Sequence, residues 1–172
     1  MLKINFLPDS DIEDVSEAIS QYEAIWNSDG EKIVQAWEDV TGYKFKETFI
    51  NATIWAGRGG HSSPLALTAW RKSIDDKKLH LVHELGHRVL LLPRREIYKK
   101  TKIMEDSLGN HKILDLVLYD VYEIVYGKEF RDFAVKQDSE MLPPLYKEAW
   151  DFALSFKTKE ARQQKFKEMM TA

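Results

Sequence analysis

The spacing of apolar residues changes several times along the chain, and each change marks an element. Residues 2–7, LKINFL, alternate in the manner of a short strand, stopped by Pro8. Ser10 or Asp11 is placed to cap a helix running to about Trp26. A second helix fits GEKIVQAWEDVTGYKF, with Ile33, Val34, Trp37 and Val40 on one face and Gly42 as its stop. KETFINATIWAG has the β-branched and aromatic content of a strand, GRGGHSS reads as a loop, and PLALTAW as a further strand. A helix that begins near Ser73 or Asp75 must end by Pro93. After a polar connection to Gly109 and Asn110, HKILDLVLYDVYEIVYG predicts a helix over about 110–127, apolar on almost every side and therefore central. Past KQDSEMLPP the tail predicts one or two amphipathic helices, with Tyr146, Trp150, Phe152 and Phe156 facing inward. Strands in front and helices behind indicate an α+β fold.

The helix before Pro93 is the one that raises a chemical question. In KKLHLVHELGHRVLLLP, residues 77–93, His83, Glu84 and His87 stand among Leu79, Leu81, Val82, Leu85, Val89, Leu90, Leu91 and Leu92. Polar side chains in such a setting cost free energy unless something compensates them. Either water reaches this face or a metal ion sits on it. Positions four apart lie roughly 40° from each other around a helix, so the imidazoles of His83 and His87 project from one face and can share one ion. Glu84 is displaced around the helix, near enough to reach a metal-bound water but poorly placed to be the third ligand. Zinc lowers the pKa of such a water toward neutrality, and a carboxylate can take its proton as it attacks a carbonyl. His83, Glu84 and His87 together form the HExxH pattern of metalloproteases.

Composition narrows the chemistry further. The chain has 172 residues, enough for one domain with a sizeable core, and is 44% hydrophobic and 31% charged. It contains no cysteine, so a zinc ion here must be held by histidine and carboxylate. The start, MLKINFLPDSD, lacks the basic opening and apolar core of a secretory signal, and no apolar run approaches a membrane span, which predicts a cytoplasmic protein. The net charge of −3 makes no global case for nucleic acid. The charge is uneven, however. Residues 1–48 carry eleven acids against four bases, and PRREIYKKTK (93–102) concentrates Arg94, Arg95, Lys99, Lys100 and Lys102.

LVHELGHRVLL, preceded by TFINATIWAGRGGHSSPLALTAW and followed by a polar loop and a second apolar helix, resembles the zincin metallopeptidases, most closely their compact gluzincin-like members. The resemblance covers about residues 46–127 and is specific only in HELGH. It implies a zincin-like fold, with a small mixed sheet, an active-site helix and a helical C-terminal part. It also implies Zn2+ as cofactor, His83 and His87 as ligands, Glu84 as catalytic base and a peptide or protein substrate. FINATIW would then be the edge strand along which substrate pairs, through Asn51, Thr53 and Trp55. Two departures stand out. RVLLLP after His87 lacks the glycine and third histidine of the metzincins, and no thermolysin-like second motif follows.

The third ligand has to come from another element. Glu105, Asp106, His111, Asp115, Asp120 and Glu123 are the candidates. Glu105 and Asp106 read as helix-capping acids, and Asp120 and Glu123 as partners of basic loop residues. His111 and Asp115 lie one turn apart on one face, and Asp115 stands among apolar neighbours. We expect one of these two to bind the metal and the other to support it, with His111 favoured for its reach. His61, in the glycine-rich loop, is a candidate for stabilising an oxyanion, and Tyr119 for a transition-state hydrogen bond. His80 reads as a helix-start histidine in solvent, with a substrate contact as its alternative. Two other functions compete with a peptidase. One is a nucleic-acid-associated protease similar to the Spartan type, supported by the basic segment after Pro93. The other is a non-catalytic domain braced by zinc, against which Glu84 argues, because a structural site has no use for an adjacent base.

Overall fold

The computed structural model describes residues 2–71, 73–101, 106–141 and 143–171. Ten elements follow one another: β1 (Lys3–Pro8), α1 (Glu13–Thr41), β2 (Phe49–Trp55), β3 (His61–Ser62), β4 (Leu65–Thr68), α2 (Ile74–Thr101), α3 (Ser107–Tyr126), α4 (Lys128–Met141), α5 (Pro144–Ser155) and α6 (Lys159–Thr171). The fold is mixed α and β, as expected. No helix of the described residues is long and apolar enough to cross a membrane.

The chain forms two compact units, Met1–Glu38 with Lys44–Val89 and Asp39–Tyr43 with Leu90–Ala172. The first holds the sheet, in the order β1-β2-β4-β3. β1 pairs parallel with β2, placing Ile4 beside Ile50 and Phe6 beside Ala52, and parallel neighbours require a crossover, which α1 supplies. β2 pairs parallel with β4, and β3 pairs antiparallel with β4. Along β2 the alternation of buried Ile50, Ala52 and Ile54 with exposed Phe49, Asn51 and Thr53 leaves one face of the sheet open. The buried face meets α1, where the Phe6 and Tyr22 rings stack with centroids 5.9 Å apart.

Several expectations change. Residues 13–41 form one helix rather than two, because Gly30 does not open a turn. A Cβ at that position would stand 2.8 Å from the Trp26 indole, one helical turn back, so the glycine makes room for a ring and the helix passes through. Gly42, with φ of +75°, is the stop that the sequence predicts. α2 also continues, through Pro93 to Thr101. Proline removes one backbone donor, and the Arg, Glu and Lys residues that follow are good helix formers that carry the element on. FINATIW is not an edge strand. It is paired on both sides, and the edges are β1 and β3.

In the second unit α3 packs against α4, α5 and α6, and is central as its apolar run predicts. It begins at Ser107, with Asp106 as N-cap accepting from the Gly109 N–H at 2.7 Å. It ends at Gly127, whose φ of +88° suits the residue. α4 has no counterpart in the sequence reading. On α5 the deeply buried residues are Ala149, Trp150 and Ala153, with Tyr146, Phe152 and Phe156 half-buried. Asp120 and Glu123 pair with Arg162 and Arg131, both on helices rather than loops. The Asp120–Arg162 pair is buried, and Arg162 also donates to the Phe156 carbonyl at 3.2 Å.

Removing one member of a buried pair strands the other charge. Arg162→Met is therefore expected to lower stability by about 3–5 kcal/mol in urea unfolding, whereas Arg162→Met combined with Asp120→Leu is expected to recover most of that loss. Equal losses in the single and double variants would show that the charge pair is not what the site depends on.

Candidate metal centre

α2 starts where Ser73 caps it. The Ser73 hydroxyl accepts from the Asp76 N–H at 3.0 Å and donates to the Asp76 carboxylate at 2.6 Å, a reciprocal cap that fixes the first turn. Leu79, Leu81, Val82 and Leu85 are then buried, and the Trp37 indole N–H donates to the Val82 carbonyl at 3.2 Å. His83 and Glu84 are buried as well, and His87 is half-buried.

The His83 and His87 Nε2 atoms lie 3.2 Å apart. Two nitrogens bound to one tetrahedral zinc at about 2.0–2.1 Å would be separated by roughly 3.3–3.4 Å. The spacing in the protein is thus close to an edge of that tetrahedron. His111 completes the cluster: one ligand atom from each of His83, His87 and His111 lies within 4.8 Å of the others. This set of three histidines could hold a metal ion. Among the described residues it is the only such group.

His111 is held by its own helix. Its Nδ1 is 2.7 Å from the Ser107 carbonyl, and a carbonyl can only accept, so the ring proton sits on Nδ1 and Nε2 keeps its lone pair. The ring also packs edge-on against Tyr146, with centroids 4.5 Å apart. Asp115, the alternative ligand from the sequence, is not in the cluster and does not bond to His111. It is buried, and neither carboxylate oxygen has a hydrogen-bond partner among the described residues. Burial pushes this carboxyl well above the ordinary carboxylate range, and the Asp138 carboxylate adds to the shift.

The other sequence candidates are dispersed. Asp106 caps α3, Asp120 and Glu123 pair with arginines, and Glu105 lies outside the described residues. Asn51 and Thr53 are on the open face of the sheet, where Asn51 accepts from Asn5 at 3.3 Å, and the structure does not bring them to Glu84. Trp55 packs over Gly57. His61 is exposed on β3. The Tyr119 ring lies between the guanidiniums of Arg131 and Arg162, 4.5 and 4.4 Å from its centroid, which is a packing role.

His80 differs most from expectation, since it is only 4% exposed. Its Nε2 is 3.5 Å from Glu84 Oε1, and its Nδ1 is 3.4 Å from the Tyr22 hydroxyl. Burial lowers its pKa, and the hydrogen bond to Glu84 only partly opposes this, which favours the neutral ring. Two further residues were not anticipated. Gly60 lies against both His80 and Glu84, and a side chain there would overlap them. Arg88 donates to the Ser62 carbonyl at 2.6 Å and pairs with Glu47 at 3.0 Å, tying the helix to β3. The i,i+4 spacing of His80 and Glu84 was the signal available in the sequence. No pattern pointed to Tyr22, Gly60 or Arg88.

The chain matches no protein-family model, no curated protein and no solved structure.

Asp115 gives the protein a pH dependence with a definite sign. Its carboxyl keeps its proton in the folded chain but loses it near pH 4 when unfolded, so stability falls as pH rises above about 4 until the folded group also ionises. Urea midpoints measured across pH should show this decline in the wild type and a flatter profile in Asp115→Asn. Parallel profiles would mean that Asp115 is ionised in the folded protein.

Proposed function

We propose that the protein is a zinc-dependent metallopeptidase with a zincin-like arrangement, hydrolysing peptide bonds in a peptide or protein substrate. The observation that carries this reading is the group of three histidine ligands beside a buried carboxylate. His83 and His87 come from one helical face with their Nε2 atoms 3.2 Å apart, His111 joins them, and Glu84 adjoins His83 on the same turn. Three neutral imidazoles suit zinc, which takes three protein ligands in catalytic sites and keeps a fourth position open. Glu84 favours a catalytic over a bracing role, because a structural site has no use for an adjacent base.

A zinc ion held by these histidines would polarise the scissile carbonyl and lower the pKa of a bound water toward neutrality. The residues of the chain do the rest. Glu84 takes the proton of the attacking water on a carboxylate oxygen and passes it to the leaving amine. The Ser107 carbonyl fixes the His111 tautomer, so that this ligand presents Nε2 without rotation. Burial of Glu84 strengthens its electrostatic interactions with reacting groups relative to water.

The test is metal analysis of the purified protein together with a protein-substrate digest. Wild type is expected to hold one zinc per chain and to cleave, and Glu84→Gln to keep its zinc and lose activity by about 10² to 10⁴-fold. His111→Ala is expected to reduce zinc content while His61→Ala leaves it unchanged. Undiminished turnover in Glu84→Gln would refute the mechanism, and full zinc retention in His111→Ala would remove α3 from the centre.

A further inference from the structure

The polar residues of α2 do not end with the metal cluster. One turn before Glu84, His80 is buried at 4% exposure, between the Tyr22 hydroxyl on one side of its ring and Glu84 Oε1 on the other. A histidine so enclosed needs a partner at each nitrogen, and both are present. Resting on the metallopeptidase reading, we propose that His80 is a positioning residue, which holds Glu84 by Oε1 through its Nε2–H and leaves Oε2 as the oxygen that receives the proton.

The proton inventory supports this assignment. The Tyr22 hydroxyl lies 3.2 Å from the Thr68 carbonyl and 3.4 Å from His80 Nδ1. A carboxylate can only accept, so a ring with a single proton places it on Nε2, facing Glu84. Nδ1 then has a lone pair, and the single Tyr22 proton, donated to the Thr68 carbonyl at 3.2 Å, is shared with it across the longer 3.4 Å contact. Tyr22 is itself immobile, being fully buried, stacked on Phe6 and tied to β4 through Thr68. The orientation of Glu84 is thus passed from the sheet, through a phenol and an imidazole, to the carboxylate.

The loop before β3 closes over this contact. Gly60 passes so near that any Cβ would overlap His80 Nε2 and Glu84 Oε1. Its glycine lets backbone cover the pair, keeping water from competing for the carboxylate oxygen. Thr68 braces the same loop by donating its hydroxyl proton to the Gly57 carbonyl. A carboxylate left to rotate would offer either oxygen, and loss of a comparable supporting hydrogen bond in metal sites lowers activity about 10 to 100-fold.

The experiment pairs kinetics with imidazole NMR on the full-length chain. In 15N-histidine-labelled protein, with and without zinc, His80 is expected to carry its proton on Nε2, with that signal shifting in Glu84→Gln. A proton on Nδ1, or a His80 signal unaffected by Glu84→Gln, would overturn the proposal. In the zinc-loaded enzyme His80→Leu is expected to lower kcat about 10 to 100-fold with KM and zinc content unchanged, as is Tyr22→Phe more weakly. His80→Gln, which keeps an N–H donor at a similar reach, is expected to restore most of kcat. Unchanged kcat in His80→Leu, or a loss that His80→Gln does not relieve, would also overturn it. A zinc-loaded wild type without activity would refute the peptidase reading instead, and the NMR result would still decide whether His80 holds Glu84.

Discussion

Burial of α2 is the constraint from which much of this structure follows. Around His83 the helix is buried from Leu79 to Gly86, and little solvent is at hand to hydrate the polar groups it carries. Each must find its partner within the protein. His80 meets Tyr22 and Glu84, and Arg88 reaches Ser62 and Glu47. His83 and His87 bring their Nε2 atoms to 3.2 Å, close enough for one ring to donate to the other or for both to face one ion. The same enclosure that makes these residues costly also makes them specific, because each has few rotamers that satisfy it.

The fold was legible where pattern and packing agree. The strands at 49–55 and 65–68, the caps at Ser73 and Gly42, and the central helix that begins after Asp106 all follow local chemistry that tertiary contacts leave in place. Glycine and proline misled where their usual meaning was overridden. Gly30 suits a turn by its identity, but here it accommodates the Trp26 ring, a role visible only when the two are seen one helical turn apart. α4 escaped notice because its buried stripe is Phe130, Ala134 and Asp138, and the aspartate breaks the apolar period at its third position. Strand order is not written in any one segment. Whether residues 49–55 lie at an edge depends on where β1 pairs, some forty residues earlier in the chain.

The three clustered histidines divide in the same way. His83 and His87 could be read directly, since their relation is fixed by helical geometry alone. His111 was one of two choices, and what separates it from Asp115 is a hydrogen bond to the Ser107 carbonyl and a place among the other imidazoles. Neither is encoded in spacing. The surroundings of Glu84 were hardly legible, because Tyr22 and Gly60 reach it from positions distant in sequence.

The first turn of α3 has a consequence for metal occupancy. Asp106 caps this turn, Ser107 supplies the carbonyl that orients His111, and His111 itself stands only four residues into the helix. Helix ends open more readily than helix centres, and an opened first turn would release the imidazole from its tautomer and its place. Any ion in the proposed centre would therefore be linked to the fraying of a helix end: binding would suppress the opening, and the opening would weaken binding by the same free energy. A cap such as Asp106 contributes about 1 kcal/mol to a helix, so a side chain that touches no ligand would set roughly a fivefold range of affinity.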